Sequence, residues 1–260
     1  MEIIWIVLIL LLISAVSAVC FYIFVYPELK IKESFKLIIT AAALNKLLFT
    51  GSGYLTSSYL SRNKDLSFYK ALSAFLLLEA LGVSLWIGMG VYFGVKLVIK
   101  VPSIIILVLA FLLLLLLMVW SQRQKFTKAA KNILMTFKNM GKRVPLIIPL
   151  IILNMVLSIA YYFLLFRIFN FHPGFLSIIK IISISFTVGY LSPAPAGLGF
   201  KDTGMVLLLV NSGLKLNTAI SLAILDRVIV TVFWAILGSI FSYDLIKEEI
   251  RKRFKREFTN

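Results

Sequence analysis

Residues 190–204 read YLSPAPAGLGFKDTG and lie between the apolar stretches 175–192 and 200–213. Pro193 and Pro195 lack backbone donors, and Gly197 and Gly199 tolerate backbone angles closed to other residues, so no continuous helix is expected to pass this point. A helix restarting near residue 200 leaves unpaired N–H groups and a partly positive end, and Lys201 and Asp202 follow at once. Such an end is suited to an anionic group.

The surroundings place this break at membrane depth. Of 260 residues 61% are apolar, and the mean hydropathy of +1.00 is far outside the range of a soluble domain. Residues 101–120, VPSIIILVLAFLLLLLLMVW, hold no charge, and a run of about 20 residues crosses a hydrocarbon core of roughly 30 Å. Further apolar windows cover 3–26, 36–60, 70–95, 146–169 and 217–242. The reading is an all-α polytopic bundle of about six to eight segments. It forms one integral membrane domain over 1–243.

The formal charge of +16 comes from Lys and Arg concentrated beside membrane segments, which indicates positive-inside topology rather than nucleic-acid binding. Segment 121–145 carries Arg123, Lys125, Lys128, Lys131, Lys138, Lys142 and Arg143 without an acid, and the tail from Asp244 is also basic. Both are expected on the cytoplasmic side of a prokaryotic plasma membrane. The N-terminus lacks the basic region of a cleaved signal peptide and reads as a retained span. Cys20 is the only cysteine and reads as a small buried residue in that span. His172 is the only histidine, so a histidine-based metal or catalytic cluster is not expected, nor is a cofactor. No phosphate-binding Gly-x-x-x-x-Gly-Lys loop is present, which argues against direct ATP drive.

A second break lies in FTGSGYLTSS, residues 49–58. Tracing the loops outward from 121–145 puts both ends of the first broken hairpin inside and both ends of the second outside. An ungapped overlay of 66–93 on 214–241 matches Trp86 with Trp234, Gly90 with Gly238 and Phe93 with Phe241, while GSGYL at 51–55 echoes GLGFK at 197–201 with a two-residue shift. Together these imply an inverted-topology repeat with halves at 36–97 and 175–242, the arrangement that forms substrate sites from discontinuous helices near the midplane.

Charges at depth cost about 2.5–3.5 kcal/mol each on insertion scales and usually face a cavity or partner. Lys46, Glu79, Arg167, Lys180, Lys201, Asp202, Asp226 and Arg227 qualify. Arg167 and Lys180 lie near segment ends and can snorkel. Glu79 falls opposite Arg227 in the repeat register, so the two are expected to pair across the pseudo-two-fold axis; the alternative is that Arg227 is neutralised within its own half. Lys201 and Asp202 read as a site that a phosphate would complete.

The stretch PAGLGFKDTGMVLLLVNSGLKLNTAISLAILDRV, 195–228, resembles the flippase-like, lysylphosphatidylglycerol synthase transmembrane-region family. Pro195, Gly197 and Gly199 match its Pro/Gly element, Lys201 and Asp202 stand where Arg and Glu are usual, and Arg227 takes the place of the Arg in the next span. In residues 44–82, Asn45, Gly51, Gly53, Arg62 and Glu79 are similar to the upstream element. Thr50 or Phe49 replaces a Pro, Ala196 a Gly, and Ala80 an Arg. The resemblance implies movement of a phospholipid or lipid-linked head group between leaflets. Its phosphate would meet the break at Pro195, Gly197, Gly199 and Lys201, with Asp202, Asp226, Arg227 and Glu79 shaping a polar cavity.

Some family members carry a fused aminoacyl-transferase domain, for which residues 243–260 are too few, so enzymatic activity is not expected. Two alternatives stay open. One is a non-transporting partner that recruits a lipid-synthesis or glycosyl-transfer enzyme through the basic loop. The other is a membrane enzyme on polyprenyl or phospholipid substrates, which the lack of dense Asp or His clusters disfavours.

Overall fold

A computed structural model describes residues 2–47, 51–61, 66–98, 135–136, 138–192, 194 and 197–257. Segment 101–120, most of the basic loop, Arg62, Pro193, Pro195 and Ala196 lie outside the described residues. The elements are α1 (Glu2–Val25), α2 (Ile31–Leu47), α3 (Ser52–Ser61), α4 (Phe68–Val98), α5 (Val144–Ile168), α6 (Phe175–Leu191), α7 (Phe200–Asn211) and α8 (Leu216–Glu257). No strand occurs among the described residues. The protein is a polytopic helical bundle.

Length decides what each helix can do. Glu2–Val25, Phe68–Gly94, Val144–Ile168 and Leu216–Tyr243 are long and apolar enough to cross a membrane. With 10 and 12 residues, α3 and α7 reach only about 15–18 Å at 1.5 Å per residue, short of a core of roughly 30 Å. Each instead folds back on the helix before it. Ser52 Oγ donates to the carbonyl of Leu44 at the end of α2; Gly189 of α6 sits against Lys201 of α7, and Val188 and Ser185, further back, sit against Gly204. Both stretches expected to be broken hairpins are therefore helical hairpins. Beyond its apolar span, α8 continues to Glu257 as one 42-residue helix.

The packing order is reciprocal. The first helix of each hairpin lies on the long helix of the other half, α2 on α8 and α6 on α4, while α1 lies on α5. Gly90 and Gly238, matched in the repeat register, allow the two cross-packings. A Cβ on Gly90 would come within 2.0 Å of Thr187 Oγ1 on α6, and one on Gly238 within 2.2 Å of the Ala43 Cβ on α2. Small residues let helix backbones approach where lipid supplies no hydrophobic drive. Trp86 and Trp234, also matched, are both buried.

Among the described residues the core forms two clusters, one around Phe21, Leu37, Phe75 and Ile147, the other around Ile181, Leu209, Leu222 and Trp234. Outward faces are equally apolar. On α8, Ile220, Ile224, Val228, Val232, Ile236 and Ile240 form an exposed stripe, as expected of a helix that faces an apolar medium.

Candidate functional site

At the second break Gly197 and Gly199 hold φ of +66° and +79°, angles that a side chain resists. Gly197 also abuts Gly189, where a Cβ would lie 2.9 Å from the Gly189 carbonyl oxygen. Asp202 Oδ2 accepts the N–H of Gly199 at 3.2 Å, tying the first turn of α7 to the break.

The charges at this end pair between helices, not with their sequence neighbours. Lys201 Nζ meets Asp226 Oδ2 at 2.9 Å, and Arg227 Nη2 meets Asp202 Oδ2 at 2.6 Å. Two adjacent residues of α7 thus grip two adjacent residues of α8. Asp226 is 1% exposed and also accepts hydroxyls from Tyr161 at 2.8 Å and Tyr162 at 3.3 Å. The Lys201 ammonium lies 4.9 Å from the ring centre of Phe186 and 5.7 Å from that of Tyr162, within cation–π range. Lys201 faces the interior, while Arg227 and Asp202 stay about a quarter exposed, at 26% and 25%.

This corrects the expectation that Glu79 pairs with Arg227. Arg227 is neutralised inside its own half by Asp202, and Glu79 accepts the Tyr54 hydroxyl at 2.6 Å. Tyr54 and Glu79 are 25 residues apart, as are Asp202 and Arg227, and the overlay that lays 66 on 214 lays each pair on the other. The same overlay lays Gly51 on Gly199, both left-handed, with φ of +99° and +79°, and both immediately before the second helix of a hairpin. The Gly-x-Gly echo therefore needs no shift, and its equivalent glycines are Gly51 and Gly199.

In the first half, Asn45 Oδ1 accepts the N–H groups of Gly51 at 3.0 Å and Gly53 at 2.8 Å. It caps the start of α3, where residues 52–54 would otherwise leave donors unpaired. Gly53 is required sterically, since a Cβ there would lie 1.9 Å from the Ala41 carbonyl oxygen. Asn45→Ala is expected to lower stability by about 1–2 kcal/mol, because two buried donors lose their acceptor. The midpoint of thermal unfolding in detergent, with Asn45→Asp as the conservative comparison, checks this.

Glu79 lines a cavity of about 220 Å³ with Tyr54, Tyr190, Asn154, Ser158 and the register-matched Trp86 and Trp234. Asn154 Nδ2 donates to Ser17 Oγ at 2.8 Å across its floor. Lys46 is within electrostatic reach of Glu79, Lys201, Asp226 and Arg227. Asp226 is buried, Glu79, Lys180, Lys201, Asp202 and Arg227 are part-buried, and Lys46, Arg167 and His172 are exposed. Pro195 lies outside the described residues.

Tyr54, Tyr161 and Tyr162 are site residues that charge patterns do not reveal. Their signal in the sequence is chemical, since a tyrosine deep in an apolar span must find a partner for its hydroxyl. Phe186 carries no such signal.

The model of the lysylphosphatidylglycerol synthase TM region family matches residues 1–238, and the chain belongs to that family. No curated protein and no solved structure matches the chain.

Proposed function

We propose that this membrane protein of the lysylphosphatidylglycerol synthase TM region family translocates a phospholipid or lipid-linked head group between leaflets, with the anionic phosphate received at the second helix break. The observation that carries this reading is the meeting of a helix N-terminus, Arg227 and Lys201 within a bundle whose outer surface is apolar. Fixed N–H dipoles and a guanidinium hold phosphate oxygens without reorganising.

The two hairpins act as an inverted-topology repeat in a plasma membrane, with the basic C-terminus on the cytoplasmic side. Reciprocal packing, left-handed Gly51 and Gly199, and the equivalent Tyr54–Glu79 and Asp202–Arg227 pairs support that reading. Transport then consists of one half rocking against the other around a site near the midplane. The register-matched glycines Gly90 and Gly238 would sit at the two surfaces that slide. Asp202, Asp226 and Glu79 are the carboxylates available to couple the motion to an ion.

The test is translocation of a headgroup-labelled anionic phospholipid and a neutral one by purified protein in liposomes. Wild type is compared with a Lys201→Ala, Asp202→Ala double variant. The double change breaks both ion pairs and leaves Asp226 with its two tyrosine hydroxyls, so folding of the variant is checked first by its unfolding midpoint in detergent, with Lys201→Met, Asp226→Leu as the variant that strands no charge in the inner pair. Wild type should move the anionic lipid faster than protein-free vesicles, and the variant should not. If neither folded protein moves either lipid, a non-transporting partner of a lipid-synthesis enzyme becomes the better description.

A further inference from the structure

An apolar groove runs between α7 and α8, separate from the cavity that holds Glu79. Its volume is about 490 Å³, and Leu198, Val206, Ile220, Ala223, Ile224 and Val228 form its walls. Its polar end is the Asp202–Arg227 pair, beside Gly199 and the N-terminus of α7. Ile220, Ile224 and Val228 belong to the outward stripe of α8, at 41%, 58% and 49% exposure, so the groove opens toward lipid.

We infer that this groove is the lateral seat of one phospholipid, with an acyl chain between α7 and α8 and the phosphodiester on Arg227. The inference rests on the translocase reading and specifies where its substrate enters. Charge and polarity select the occupant. A guanidinium has five N–H donors, and the structure shows Nη2 on Asp202. Asp202 thereby engages one nitrogen, and Arg227 lines the groove, where a phosphate accepts the remaining donors bidentately. Asp202 Oδ1 is buried and accepts no hydrogen bond among the described residues. A fatty acid or a neutral detergent has no phosphodiester for the guanidinium to hold. Lys201 takes no part in this seat, because its ammonium is turned inward onto Asp226. The seat is therefore outside the inner ion pair, and passage inward requires the lipid phosphate to exchange Arg227 for Lys201.

The experiment uses phosphatidylglycerol with a diazirine midway along one acyl chain, in proteoliposomes of phosphatidylethanolamine and phosphatidylglycerol. Labelled peptides are mapped by mass spectrometry, and translocation is followed in the same vesicles. Label is expected to concentrate in residues 198–228 over the exposed face of α1, around Ile4, Leu8 and Leu12. Ile224→Trp, which fills the groove from an exposed position, should remove that excess; Val228→Trp serves if the first variant does not fold. Arg227→Gln should retain labelling but remove the preference for phosphatidylglycerol over a neutral diazirine lipid. Even labelling of α1 and α8, or unchanged labelling in both tryptophan variants, overturns the seat. Groove labelling without translocation by wild type sustains the seat and defeats the translocase reading. Translocation at the wild-type rate with the groove filled does the reverse.

Discussion

Asp226→Leu is expected to cost about 3–5 kcal/mol, because it strands a buried cation. Lys201 Nζ has Asp226 Oδ2 at 2.9 Å and is only 15% exposed. Without the carboxylate the ammonium keeps the faces of Phe186 and Tyr162, which supply about 0.5–2 kcal/mol at such range. The hydroxyls of Tyr161 and Tyr162 lose their acceptor in the same change. Adding Lys201→Met removes the stranded charge, so the double variant should recover much of the loss, as apolar replacements of buried ion pairs do. Unfolding midpoints in detergent for the two single variants and the double variant give the coupling directly. A double variant no more stable than Asp226→Leu alone would show that the tyrosine hydroxyls, not the ion pair, dominate.

Gly53→Ala is the second. Its Cβ would enter the α2–α3 contact 1.9 Å from the Ala41 carbonyl oxygen and 2.7 Å from the carbonyl carbon. Both are backbone atoms, so no rotamer change relieves the overlap and the hairpin must separate. Overpacking of this kind costs about 1–3 kcal/mol, and here it also pulls the Gly53 N–H from Asn45. Gly88→Ala is the control, since a Cβ there meets nothing within 4 Å; mid-helix alanine should add about 0.5–1 kcal/mol. Opposite shifts of the unfolding midpoint are expected. Equal shifts would mean that α3 does not pack on α2 as described.

The two halves solve one backbone problem with different side chains. Gly53 and Lys201 are register equivalents, as are Ala41 and Gly189, and in each hairpin one of the contacting positions is glycine. In the first half the glycine lies on the short helix, in the second on the long one. Reversing the roles frees position 201 for a long cation that the first half has no space to carry. The halves also differ in charge: the first pairs Glu79 with a neutral tyrosine, the second pairs Arg227 with a carboxylate. One backbone frame thus carries a neutral–acid pair in one half and an ion pair in the other.

Sequence alone determined the membrane class, the spans at α1, α4, α5 and α8, both broken hairpins and the family. Each rests on local physics: chain length against bilayer thickness, and the refusal of Pro and Gly to continue a helix. It also identified Lys201, Asp202, Asp226 and Arg227, because a charge in an apolar run is visible without coordinates. Their partners were decided only by the tertiary structure. Glu79 and Arg227 are opposite in register and opposite in sign, which suggests a pair across the axis. Packing of α7 on α8 instead puts Asp202 against Arg227 and Lys201 against Asp226, partners 25 residues apart. Tyr161 and Tyr162 reach Asp226 from α5, across separations of 65 and 64 residues. Low dielectric makes the nearest partner win strongly, and nearness in a bundle is set by which helix faces which.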